Sequence, residues 1–83
     1  MTLDVLYFAW LRERVGHGHE QVETDAATVA DLVAELTARS DGHAAALADT
    51  AALRVALDQG LAGFDAPLAG VREVAFFPPM TGG

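Results

Sequence analysis

The chain of 83 residues contains no cysteine and no lysine. Without cysteine there is no disulfide, no thiolate metal site and no side-chain thiol to form a thioester or persulfide. Any sulfur this protein handles must therefore sit elsewhere than on a side-chain thiol. Without lysine, all five basic residues are arginines, and no ubiquitin-like chain can grow on a lysine of its own. Basic charge is scarce altogether: the net charge is −7 and the pI about 4.5. That balance excludes binding driven by nucleic-acid phosphates, which relies on Lys and Arg, and favours a basic partner surface. No hydrophobic run reaches the roughly 20 residues of a membrane span. Met1-Thr-Leu-Asp lacks the basic start of a signal peptide, so a cytoplasmic location without a membrane partner is expected.

What is present suits one small domain. Apolar residues make up 52% of the chain, enough for a single core. Leu3 to Phe8 reads as a strand with Leu3, Val5 and Tyr7 inward and Asp4, Leu6 and Phe8 outward, because side chains alternate across a strand. Ala9 to Val15 reads as a short helical turn ended by Gly16, and Gln21 to Thr24 as a strand around Val22. Val29, Leu32, Val33 and Leu36 recur at helical spacing, with Thr28 and Asp31 near capping-box positions. Ser40-Asp41-Gly42 is expected to end this helix, with one further helical turn at Ala44 to Ala48. Leu53 to Leu57 alternates as a strand, Asp58-Gln59-Gly60 is a turn, and Leu61-Ala62 a short returning strand. Asp65-Ala66-Pro67 marks a loop. Glu73 to Phe77 is the last strand, with Phe76 inward and Phe77 outward. One helix cannot cover both faces of a sheet, so the expectation is an α+β domain with one face partly open. Outward Phe8, Leu61 and Phe77 would then form a partner patch if they lie together.

The last ten residues, Val74-Ala-Phe-Phe-Pro-Pro-Met-Thr-Gly-Gly, carry no charged side chain. Pro78 and Pro79 set an extended path and stop further sheet pairing. Gly82 and Gly83 lack a Cβ and suit passage through a narrow channel, which leaves the Gly83 carboxylate as a chemical group. Five residues from Pro79 to Gly83 reach roughly 16–18 Å when extended. Other candidates read as ordinary surface. His17 and His19 alternate in a glycine-rich stretch, but with no cysteine and no carboxylate pattern they read as a solvated loop, and no metal is expected. His43 reads as an isolated surface residue, and Glu13, Glu20 and Glu23 as solvated charges. Trp10 reads as packing beside the first turn. Arg12 and Arg14 suit either an acidic partner or nearby acidic side chains, and the sequence does not separate the two. Gly16-His-Gly-His lacks the spacing of a phosphate loop.

The element order followed by Gly-Gly resembles ubiquitin-like β-grasp proteins. Val5-Leu-Tyr-Phe-Ala with Arg12-Glu13, Leu57-Asp-Gln, Phe64-Asp-Ala-Pro-Leu, and Glu73-Val-Ala-Phe-Phe-Pro-Pro-Met-Thr-Gly-Gly resemble the small subunits of molybdopterin synthase. One departure is Ala69-Gly-Val-Arg-Glu, where such proteins have Gly-Asp-Glu before the last strand. Sulfur carriers for thiamine synthesis share the fold and the Gly-Gly end, but the aromatic-proline lead-in fits them less well. The resemblance implies a mixed sheet of about five strands on one main helix, with a β-grasp domain at 1–78 and an extended tail at 79–83. It implies that an ATP-using, ubiquitin-activating-type adenylyltransferase activates Gly83, and that a separate sulfur donor converts it to a thiocarboxylate. Gly82 helps insert the tail into a large subunit, where sulfur passes to a cyclic pyranopterin precursor. Phe8, Leu61 and Phe77 would anchor that partner, with Pro78, Pro79, Met80 and Thr81 at the channel. A heterotetramer of two small and two large subunits is implied. The chain itself would bind no cofactor and supply no catalytic acid or base. A ubiquitin-like protein modifier, ending in isopeptide bonds through Gly83, is the alternative from another class; an inert interaction domain is a third.

Overall fold

The structure, a computed structural model, describes residues 1–79; the sites expected at Met80, Thr81, Gly82 and Gly83 lie outside the described residues. Five strands and three α-helices follow in the order β1 (Thr2–Tyr7), α1 (Trp10–Val15), β2 (His19–Glu23), α2 (Val29–Thr37), α3 (Asp41–Leu47), β3 (Arg54–Leu57), β4 (Gly60–Ala62) and β5 (Glu73–Phe77), with a 3-10 turn at Thr50–Ala52 before β3. The strands form one sheet in the order β2-β1-β5-β3-β4. Only β1 and β5 run parallel; the other pairs are antiparallel. This mixed sheet with its helices on one face is the ubiquitin-like β-grasp fold.

Alternation decides which face each strand buries. Leu3, Val5, Val22, Val55, Val74 and Phe76 are fully buried, and Tyr7 nearly so. They pack on the α2 stripe of Val29, Leu32, Val33 and Leu36, joined by Leu11 of α1 and Leu47 of α3. Burying each such side chain contributes about 1.5–3 kcal/mol, so the apolar contacts outweigh any single polar contact in holding the layers together. Thr28 caps α2 by accepting a bond from the Asp31 N–H at 3.2 Å, a contact typically contributing about 1 kcal/mol.

One expectation needs correction here. Ser40-Asp41-Gly42 does not merely end α2, which already stops at Thr37; it begins α3, a full helix of seven residues. The Ser40 Oγ accepts a bond from the His43 N–H at 3.1 Å, so serine acts as an N-cap. Gly42 stands in this helix because a Cβ there would lie 2.5 Å from the Arg14 carbonyl oxygen at the end of α1. Its role is close approach of two helices, not helix breaking.

The unusual lead into β5 also resolves. The Val71 N–H donates to the Leu68 carbonyl at 3.0 Å, and Gly70 between them takes φ 80°. A type II turn needs a positive φ at this third position, and glycine supplies it. Asp58, in the β3–β4 hairpin, then holds the start of β5: its Oδ1 accepts the N–H groups of Arg72 at 3.0 Å and Glu73 at 2.9 Å.

Candidate functional site

The helices leave the other sheet face open, and the strand registers order what lies on it. Leu6 stands beside Ala75, Ala75 beside Ala56, and Ala56 beside Leu61. This makes one apolar row across four strands. One step further along, Phe77 stands opposite Arg54. Phe8 follows Tyr7, the partner of Phe76, and its N–H donates to the Phe76 carbonyl at 3.1 Å. Phe8 and Phe77 are therefore neighbours at the end of the face where β5 runs out into Pro78 and Pro79.

Exposure separates these residues. Leu61 is 75% exposed and Phe8 48%; with Met1 they are the exposed large apolar side chains among the described residues. Phe77, Pro78 and Pro79 are half-buried, so Phe77 is less outward than its strand parity suggests. Phe8 and Leu61 do not touch: three strand spacings of about 4.8 Å put them some 14 Å apart across the sheet. Leu6 and Ala56, both half-buried, and Ala75, only 8% exposed, bridge the gap; strand alternation turns Leu6 outward but does not show the three as one row. Leu6 shares parity with Phe8, and Ala75 with Phe77. A cavity of about 390 Å³ borders this face beside Phe8, lined also by Ala9, Arg12 and His19. Ala9 holds φ 56° there, a region that costs a non-glycine residue energy, as the chain turns from β1 into α1.

The same geometry separates the two arginines of α1. Arg14 is used within the chain: its guanidinium lies 4.5 Å from the Trp10 ring centre and donates to the Ala45 carbonyl at 3.2 Å. Arg12 borders the cavity and is exposed, which leaves it the better placed of the two for an outside partner.

Polar groups gather on the opposite side, around Glu20. This residue is not a solvated charge, and His43 is not a surface residue: His43 is 5% exposed. The Tyr7 hydroxyl donates to Glu20 Oε2 at 2.6 Å, and His43 Nε2 lies 2.7 Å from the same oxygen. Arg39 and His17 approach Oε1 at 3.5 and 3.4 Å. Ser40 Oγ lies 2.6 Å from His43 Nδ1. Burial is the largest influence on the Glu20 carboxyl and raises its pKa. The bonds from Tyr7 and His43, the His43 charge and the His17 contact together outweigh it, and lower the pKa from 4.5 to about 2. Burial first, then the Glu20 bond and charge, push the Tyr7 phenol well above its usual range. His17 and His19, adjacent in the sequence pattern, part company: His19 Nε2 meets Asp4 Oδ1 at 3.4 Å instead.

Comparison with known proteins decides the family. The ThiS family model matches residues 5–83. The chain belongs to the ThiS family. Two bacterial proteins named molybdopterin synthase sulfur carrier subunit are similar over nearly their whole length. That of Escherichia coli is 47% identical and that of Haemophilus influenzae 40%, each across 98% of this chain and 99% of the relative. Among solved structures, the Haloferax volcanii HVO 2177 protein superposes with a TM-score of 0.75 at 31% identity, covering all of this chain and 87% of that one. In this ThiS-family chain the open face and the base of the tail share one edge, reached through β5.

Proposed function

We propose that this chain is the sulfur-carrier subunit of a molybdopterin synthase. Similarity to the two bacterial sulfur-carrier subunits supports the reading. The observation that carries it is the position of β5. This central strand runs from beneath the open apolar face straight into Pro78-Pro79, and the sequence continues as Met80-Thr81-Gly82-Gly83.

The chemistry follows from what a carboxylate lacks. Its charge repels nucleophiles, and oxide is a poor leaving group. Attack of the Gly83 carboxylate on ATP, in an adenylyltransferase partner, releases pyrophosphate and forms an acyl-adenylate. A donor persulfide then displaces AMP and forms an acyl disulfide, and a thiol cleaves that S–S bond, leaving a Gly83 thiocarboxylate while the two donor sulfurs end as a disulfide. Its sulfur is anionic near neutral pH and strongly nucleophilic, as thiolates are. The absence of cysteine agrees with this use of the terminus. Phe8, Phe77, Leu61 and the bridging Leu6, Ala56 and Ala75 dock on the large subunit. Pro78, Pro79, Met80 and Thr81 lead the tail into its pocket, where Gly82 passes without steric hindrance. Sulfur is transferred there to the pyranopterin precursor by groups of the large subunit, in a complex of two small and two large subunits. This chain contributes no bound cofactor; ATP serves the activating enzyme.

Intact mass is the test. The chain is incubated with an adenylyltransferase of the ubiquitin-activating type, ATP and a sulfur source, and a mass gain of one oxygen-to-sulfur exchange is expected. Deleting Gly83 abolishes the exchange. An unchanged mass in the complete system overturns the proposal, and Gly83-dependent conjugates on lysines of other proteins would favour a modifier role.

A further inference from the structure

We propose that His17, Glu20 and His43 form a site for one divalent transition-metal ion of the zinc type, where the loop after α1, the edge strand β2 and helix α3 meet. The three side chains come from separate segments, yet their donor atoms all lie within 4.8 Å of one another. Bonds of about 2.0–2.2 Å in a tetrahedral site hold ligands about 3.4 Å apart. The His17–Glu20 contact at 3.4 Å already has that spacing. The remaining closure falls to His17, whose side chain is 48% exposed and can shift, while buried His43 stays anchored.

Supporting groups are in place around the ligands. With the His43 Nδ1–H donating to Ser40 Oγ at 2.6 Å, the Nε2 lone pair points at the site, the arrangement that orients histidine ligands. The Tyr7 hydroxyl occupies Glu20 Oε2 and leaves Oε1 for the ion. The proton shared between His43 Nε2 and Glu20 Oε2, 2.7 Å apart, must leave on binding. Arg39 is the competing cation, but its bond is long at 3.5 Å and its side chain is 39% exposed, free to swing into solvent. Two imidazoles and one carboxylate, with no thiolate, suit zinc and cobalt better than the calcium or magnesium class. Three protein ligands leave a fourth position to water. A net charge of −7 also draws cations to the surface.

Cobalt(II) is the probe. The full chain, stripped with a chelator and then freed of it, is titrated with cobalt(II) while visible absorption is followed. One saturable ion per chain is expected, displaced by zinc(II). His17→Ala should weaken binding by at least the tenfold that loss of even a supporting residue costs a metal site. Because His17 is exposed, that variant should keep the parent's circular dichroism. His19→Ala should bind as the parent does. Absence of saturable binding, parental affinity in His17→Ala, or loss of binding in His19→Ala would each overturn the site.

Discussion

Replacing Glu20 by glutamine keeps the shape of the side chain and removes its charge, so it isolates what the carboxylate does between β2 and α3. The folded environment lowers this carboxyl from 4.5 to about 2. At about 1.4 kcal/mol per unit, the full difference corresponds to roughly 3.4 kcal/mol. Two of its partners, His17 and Arg39, are exposed, and solvent screening reduces the expected contribution to about 1–2 kcal/mol. Its sign follows from the depressed pKa. Stability is fully present above the unfolded value and drains away as pH falls towards 2. Urea unfolding of the parent and Glu20→Gln, both with chelator present, should show the parent ahead by about 1–2 kcal/mol at pH 7, and by less than half of that gap at pH 3. A gap below about 0.5 kcal/mol at pH 7 would show a merely solvated charge. A gap undiminished at pH 3 would place the effect in packing rather than ionisation.

Two further substitutions test the helix contact and the open face. Alanine for glycine inside a helix ordinarily gains up to about 1 kcal/mol, yet Gly42→Ala drives a Cβ to 2.5 Å from the Arg14 carbonyl. A loss of about 1–3 kcal/mol in thermal unfolding is therefore expected, and a rise in melting temperature would refute the close approach. On the open face, Phe8→Ala and Leu61→Glu should each weaken binding to the large subunit by about 1–3 kcal/mol. Calorimetric titration reads that loss; unfolding should stay at the parental midpoint, since both side chains are exposed.

Local patterns in the sequence were enough for the strands and the main helix. The parity of Leu3, Val5 and Tyr7 and the α2 stripe each follow from one segment's own spacing, and every one of those side chains is buried. Gly16 ends α1 at φ 105° as a helix C-terminal glycine should. The open face was legible in Phe8, Leu61 and outward Leu6, but the row they form with Ala56 and Ala75 was not, because it exists only where neighbouring strands align them. Helix α3 was hidden because Ser40 and Gly42 carry stop signals when read alone. The Glu20 cluster was hidden more deeply. Tyr7, Glu20 and His43 lie far apart in the chain, and no periodicity within one segment reports a meeting between three. Glu20 did share parity with buried Val22, which pointed the carboxylate to the core side of β2.

The placement of β5 bears on how docking and tail insertion divide the work. On the proposed function, fixing the five residues 79–83 inside a partner costs about 1–2 kcal/mol each in backbone entropy, or roughly 5–10 kcal/mol together. Burying Phe8 and Leu61 in full returns about 1.5–3 kcal/mol each, which does not cover that sum. Those two side chains alone therefore cannot hold the proposed inserted tail, and the rest of the face and contacts along the channel must supply the difference. What the sheet contributes is a fixed starting point. β5 is hydrogen-bonded to β1 on one side and β3 on the other, and its Val74 and Phe76 are fully buried. The strand that leads to the tail thus needs no further restraint when a partner arrives. On the proposed function, docking of the body and threading of the tail are separable steps, the first limited by the apolar row and the second by the channel. A carrier that must leave one partner to be recharged by another gains from that division, because neither step alone holds it tightly.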